Sequence, residues 1–328
     1  MKFGIVGTNF ISDWFLSSLP FAGADAKAVY SRRRETGDTF ASRHGIPLVF
    51  DDLDAFLASD AFDAVYIASP NFLHEAQAIR ALRAGKHVLC EKPAAPSLSG
   101  YLRMCDVARE EGRTLMEAMR TVHDSLWRRV KEAIPRLGRV RSAHLEFCQY
   151  SSRYDKHLAG EYTNTFDPSL SNAAILDIGI YPIEAAVWLF GTPLAVSGSS
   201  IFLENGFEGG GNAVLAYGTH TVSVSYSKVS DSLLPSVILG EKGGITVDKT
   251  VMPTKAVLRL RTGEEEVLLR EDGDVPNNMY EETLDFIRAV EAGELLPFEK
   301  TTRDALSVTD SLRRLSGVRF PSDGEGAL

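Results

Sequence analysis

The most constraining feature of this chain is a regular exchange, between residues 3 and 116, of short apolar runs with segments of helical periodicity. The runs fall at 3–6, 26–30, 46–50, 64–68, 87–90 and 114–116, and the helical segments at about 10–19, 35–43, 52–58, 72–84 and 98–111. Strands buried on both faces read as nearly continuous apolar stretches, and alternation with helices places them in a parallel sheet wrapped by helices. Asp52 and Asn71 suit helix N-caps, and Gly45, Gly85 and Gly112 suit the left-handed residue that ends a helix. After about residue 120 the pattern changes. A helix near 123–134 leads into a strand at 139–150, a polar loop covers 151–171, and an apolar helix at 173–190 ends at Gly191. Strand runs follow at 194–203, 212–217, 220–228, 235–240, 244–248, 256–261 and 265–269, then helices at 278–292 and 302–315 and a frayed tail from Ser322 to Leu328. This second part predicts an α+β arrangement with a large, mostly antiparallel open sheet.

Composition narrows the class. With 328 residues the chain is long enough for two domains. Its 35 basic and 44 acidic residues leave a net charge of −9, which disfavours a nucleic-acid surface. Arg32, Arg33 and Arg34 form the one dense basic cluster, too small for a nucleic acid but enough for one phosphate. Cys90, Cys105 and Cys148 are odd in number and far apart, so they read as reduced thiols of a cytoplasmic protein. No apolar stretch is long enough to suggest a membrane span, and no two of the 7 histidines sit at a metal-ligand spacing.

The first strand runs into Gly7-Thr8-Asn9-Phe10-Ile11-Ser12, where a dinucleotide fingerprint would read G-x-G-x-x-G/A. Asn9 stands for the middle glycine, as a residue that tolerates positive φ, and Ser12 for the third small residue. These residues alone allow a plain strand-to-helix turn or a pyrophosphate cradle at a helix N-terminus. The second strand ends in Tyr30-Ser31-Arg32-Arg33-Arg34, with no carboxylate before Glu35. NAD enzymes place an acid here for the ribose 2′-hydroxyl, whereas guanidinium forks suit a 2′-phosphate. NADP is therefore the expected cofactor, with NAD as the second choice. A solvated charge run is the bland alternative, although cations at a helix N-terminus oppose the helix dipole.

Two further strand ends carry polar residues where open α/β sheets bind ligands: Ser69-Pro70-Asn71-Phe72-Leu73-His74, and Ala84-Gly85-Lys86-His87-Val88-Leu89-Cys90-Glu91-Lys92-Pro93. With the Gly-rich turn and Leu176-Asp177-Ile178-Gly179-Ile180-Tyr181-Pro182, these segments resemble the glucose-fructose oxidoreductase/inositol dehydrogenase family, Gfo/Idh/MocA, over nearly the whole chain. Tyr181 and Leu115-Met116-Glu117-Ala118 look most like its dimeric dihydrodiol dehydrogenase branch. The resemblance implies a Rossmann dinucleotide-binding domain at 1–120 and an α+β substrate-binding and oligomerisation domain at 121–328. It implies an NAD(P)-dependent oxidoreductase of a sugar, polyol or cyclic diol, assembled as a dimer or tetramer. Two alternatives on the same fold are a glycoside hydrolase or lyase with tightly bound nicotinamide and a non-catalytic cofactor sensor. Asn9, Asn172-Ala173 and Tyr181 depart from the more frequent family residues, the last two at positions that bear on substrate.

Hydride transfer from an alcohol carbon requires a proton carrier and a charge for the developing alkoxide. The family constellation of Lys, Asp and His or Tyr carries over to Lys92, Asp177 and Tyr181. Tyr181 is the expected proton donor and acceptor, Lys92 the cation that lowers its proton affinity and binds the substrate oxygen, and Asp177 the orienting group. Asp177 and Tyr181 stand i, i+4 on one helix face, and Pro182 kinks that helix unless the helix begins there. An exposed lysine, a helix-start acid and a core tyrosine are the corresponding structural readings. Gly7, Thr8, Asn9, Phe10, Ile11, Ser31, Arg32, Arg33, Ser69, Pro70, Asn71, His74, Glu91 and Lys92 are the expected cofactor contacts, Glu91 at the nicotinamide ribose. The resemblance also implies a cis Lys92–Pro93 peptide. Arg120, His123 and Tyr154 are candidate substrate contacts. A hinge with a helix cap explains the first two as well, and a surface loop the third.

Overall fold

The computed structural model describes residues 1–270, 273 and 275–320, so the expected tail from Ser322 to Leu328 lies outside the described residues. The chain forms two compact units. In the first, the alternation resolves into β1 (Lys2–Val6), α1 (Phe10–Ser18), β2 (Asp25–Tyr30), α2 (Arg34–His44), β3 (Leu48–Phe50), α3 (Leu53–Leu57), β4 (Ala64–Ile67), α4 (His74–Arg83), β5 (His87–Glu91), α5 (Leu98–Glu111) and β6 (Leu115–Ala118). The six strands are parallel in the order β3-β2-β1-β4-β5-β6. Strand order reverses between β1 and β4, so a ligand crevice is expected outside their carboxyl ends. Phe3, Ile5, Phe15, Tyr66 and Leu89 build the core, with the Tyr66 and Phe15 rings stacked 3.6 Å apart.

The local signals decide where these helices start and stop. Asp52 accepts the Ala55 N–H at 2.7 Å and caps α3, while Gly45, Gly85 and Gly112 take positive φ. Asn71 does not cap a helix. Pro70 opens a 3₁₀ turn over Asn71–Leu73, closed by Leu73 N–H to Pro70 O at 2.8 Å, and α4 starts only at His74.

The short helix α6 (Arg120–His123) spans the point where the units divide. The second unit contains α7 (Ser125–Ala133), β7 (Val140–Cys148), α8 (Tyr154–Leu158), a π-helical turn (Ile175–Gly179), α9 (Ile180–Phe190), β8 (Ala195–Phe202), β9 (Glu208–Ala216), β10 (Thr221–Ser227), β11 (Ser236–Gly240), β12 (Gly243–Val247), β13 (Lys255–Leu260) and β14 (Glu265–Leu269). Its eight strands run β14-β13-β12-β11-β7-β10-β9-β8, antiparallel throughout except the β7–β10 pair. The stretch 151–171 is not a simple loop, because α8 and two 3₁₀ turns interrupt it.

Helix α10 (Met279–Ala292) returns to the first unit, where Met279 and Phe286 join the core around Phe3. A contiguous division at residue 120 omits this return. Helix α11 (Glu299–Leu315) serves the second unit from Lys300 onward and sets Leu312 against Gly198 of β8.

Candidate active site

The cradle in the first unit is built at the carboxyl ends of β1 and β4. Gly7 has φ +109°, and a Cβ there would lie 2.6 Å from the Ala68 carbonyl oxygen, so only glycine fits. Asn9 works differently from the positive-φ role expected of it. Its backbone is extended (φ −91°), and its side-chain oxygen caps α1 by accepting the Ile11 and Ser12 N–H groups. Its amide nitrogen donates to Ala68 O at 2.6 Å, tying the β1 loop to β4. The Ser12 hydroxyl closes the turn on Gly7 O at 3.0 Å. Thr8 and Ile11 are half-buried and Phe10 is exposed.

At the end of β2, Ser31 is half-buried and Arg32 and Arg33 are exposed. Arg34 is held by Asp38, whereas Arg32 and Arg33 have no acidic partner among the described residues. Ser69 and Asn71 are half-buried and Pro70 is exposed beside them. A dinucleotide phosphate fits this set: a glycine turn no side chain could enter, a helix N-terminus behind it, and unengaged guanidinium groups at β2.

Lys92 is half-buried on the turn that follows β5, and the Lys92–Pro93 peptide is cis. Buried side chains hold this turn from three directions. Glu91 accepts the Lys92 N–H at 3.2 Å and the Tyr66 hydroxyl at 2.6 Å. Burial pushes the Glu91 carboxyl up, against the opposing pull of Tyr66, Lys92 and Arg120. Glu117 of β6 accepts the Ala94 N–H at 2.7 Å.

His74 places Nδ1 2.9 Å from Pro93 O and Nε2 2.8 Å from Ser69 O. It is 1% exposed, and burial lowers its pKa despite the two carbonyls. His74 thus sits between the Ser69 loop and the Lys92 turn, where a neutral ring donates its single N–H to one of the two carbonyls.

Asp177 and Tyr181 belong to the second unit. Asp177 lies in the π-helical turn and Tyr181 in α9, which continues that turn from Ile180, so Pro182 falls three residues after the turn ends. Glu208 of β9 anchors the start of the turn by accepting the Ile175 N–H at 2.8 Å. It also accepts the Tyr226 hydroxyl at 2.7 Å and the Ser200 hydroxyl at 2.9 Å. A Cβ on Gly179 would lie 3.0 Å from the Tyr226 ring, so this glycine lets the turn approach β10. Tyr181 is 5% exposed, edge-on to Phe147 at 5.5 Å. Asp177 forms an ion pair with Lys228, just past β10, a residue that sequence reading passed over.

The remaining candidates are placed as follows. Arg120 is buried, its guanidinium 5.5 Å from the Trp14 ring centroid. His123 is buried, and the cap of α7 is Asp124, through Leu126 and Trp127 N–H. Tyr154 is half-buried between Tyr150, His157 and Phe166. No cluster of potential metal ligands occurs among the described residues.

Comparison with known proteins adds to this geometry. The profile described as "Oxidoreductase family, NAD-binding Rossmann fold" matches residues 1–119, and that of the GFO/IDH/MocA C-terminal domain matches residues 127–246. The chain belongs to the Gfo/Idh/MocA oxidoreductase family. Among its Gfo/Idh/MocA relatives, the scyllo-inositol 2-dehydrogenase (NADP(+)) IolU of Bacillus subtilis is 38% identical over 98% of this chain and 99% of its own. Trans-1,2-dihydrobenzene-1,2-diol dehydrogenase of Mus musculus is 27% identical over 79% and 78%. The solved structure of the 3-ketoreductase KijD10 from Actinomadura kijaniata, in complex with NADP and TDP-benzene, matches with a TM-score of 0.82 at 26% identity, covering 98% of both chains.

Proposed function

We propose that this oxidoreductase transfers a hydride between NADP(H), in preference to NAD(H), and a hydroxyl or carbonyl carbon of a cyclic polyol or sugar. The observation that carries the cofactor preference is the end of β2, where Arg32 and Arg33 stand exposed and no carboxylate precedes Glu35. A relative named for scyllo-inositol and NADP(+) and a neighbour solved with NADP support the same reading. When bound, the nicotinamide supplies the hydride acceptor or donor. The chain supplies the rest: Gly7 and the α1 N-terminus receive the pyrophosphate, Tyr181 carries the hydroxyl proton, Lys92 offers positive charge to the developing alkoxide, and Asp177 orients the substrate.

Calorimetry with both cofactors tests the preference. NADP(H) is expected to bind more tightly, and Arg32→Ala is expected to weaken NADP(H) by about 1.5–3 kcal/mol more than NAD(H), the worth of a charge-assisted hydrogen bond. Tighter binding of NAD(H) by the wild type would refute it.

A homodimer built on the open face of the eight-stranded sheet is part of the proposal. Val214, Leu239 and Val267 are 41%, 46% and 45% exposed there. The face is less apolar than the run at 220–228 suggests, because β10 buries Val222, Val224 and Tyr226 and turns Thr221 and Ser223 outward. Light scattering at micromolar concentration is expected to give twice 35.9 kDa, and a monomer alone would refute the dimer. A reducing compartment, the cytoplasm, suits the unpaired Cys90, Cys105 and Cys148. Recovery of the protein only from an oxidising compartment would contradict that placement.

A further inference from the structure

We propose that Lys228 is the positioning residue of Asp177, holding that carboxylate aimed at a substrate hydroxyl. The inference rests on the assignment of Asp177 as the substrate-orienting group. The lysine side chain is 6% exposed and the aspartate side chain 39%, so the two members of the pair are unequal. A carboxylate open to solvent can be hydrated without a partner, whereas a buried ammonium has nowhere else to place its charge. The cation is therefore committed to the carboxylate, and the carboxylate keeps an accessible side.

The surroundings fix the cation from its base to its tip. The Lys228 N–H donates to Gly209 O at 2.8 Å, and its carbonyl accepts the Ser151 N–H at 2.9 Å, so the backbone is bonded on both sides. At the tip, Nζ lies 5.6 Å from the centroid of the buried Phe166 ring, which adds a cation–π contact. The aspartate is fixed too, because Glu208 holds the start of its π-helical turn and Gly179 lets that turn lie against Tyr226. The ion pair thus adds to the packing of this turn on β10, and the position of Asp177 is set by Lys228 as well as by its own helix.

The test uses the full chain with NADP(+) and a panel of cyclic polyols and aldoses that includes scyllo-inositol, comparing wild type with Lys92→Met, Asp177→Asn, Lys228→Met, Lys228→Arg and the Asp177→Asn/Lys228→Met double variant. Lys228→Met is expected to lower kcat/KM about 10²-fold, the cost of misplacing an orienting group, with NADP(+) affinity held within about twofold. Lys228→Arg, which keeps the cation, is expected to recover most of the loss. The double variant is expected to be no worse than Asp177→Asn alone, because the lysine acts through the aspartate. Normal turnover by Lys228→Met, multiplied losses in the double variant, or an arginine variant as poor as the methionine would overturn the inference. An inactive Lys92→Met beside a normal Lys228→Met removes this inference alone. A wild type inactive on the whole panel, or a Lys92→Met that turns over normally, removes the functional reading and this inference with it.

Discussion

Glu282 shows how much of a residue's chemistry depends on where the fold puts it. It is an acid within α10, and in the folded chain it is 0% exposed with neither carboxylate oxygen hydrogen-bonded. Burial, reinforced by Glu91 and opposed by Arg120, holds its pKa well above the ordinary carboxylate range, and Asp285 and Glu117 add to the upward push. Above the unfolded pKa, the unfolded chain has lost a proton that the folded chain keeps. Stability from this group is therefore complete at low pH and falls as pH rises toward the folded pKa, by up to about 1.4 kcal/mol per pH unit. Glu282→Gln is expected to remove that slope, so that the variant gains on the wild type in urea midpoint between pH 5 and pH 8. A constant difference between the two proteins across that range would refute the raised pKa. Nothing in the sequence marked this glutamate, because a helical acid reads as solvent-facing until its neighbours are known. The motifs around Lys92, Asp177 and Tyr181 singled these three out as candidates, whereas Lys228 follows an ordinary strand and its partner is 51 residues away.

At the level of elements, legibility followed burial. The six parallel strands were readable because strands covered on both faces leave uninterrupted apolar runs, and their helices because Asp52, Gly45 and Gly112 punctuate them. The π-helical turn was not readable: its apolar spacing over Ile175–Gly179 matches an α-helix, and only Pro182 hinted that a new helix starts nearby. The turn owes its place to Glu208 and Tyr226, which come from other strands. Helix α10 carried clear periodicity but no sign of which core it joins. Phe286 settles that by packing against Phe3, with ring centroids 5.9 Å apart. Periodicity reports that a face is buried and is silent about the partner.

At the scale of the whole molecule, the net charge of −9 disfavours a broad polyanion surface, and the basic cluster at Arg32 and Arg33 is where a 2′-phosphate is expected. Among the described residues, no helix is long and apolar enough to cross a membrane. The family membership pairs a dinucleotide-binding domain with a C-terminal domain, and the proposed function gives Lys92 the charge that the developing alkoxide requires. That claim is tested most directly by the rate at which NADPH appears when the full chain meets NADP(+) and its best polyol substrate, measured for wild type and Lys92→Met side by side. The account predicts a loss of about 10²–10³-fold in kcat with NADP(+) binding retained, the effect of removing one group that stabilises the developing charge. An unchanged kcat in Lys92→Met would contradict it.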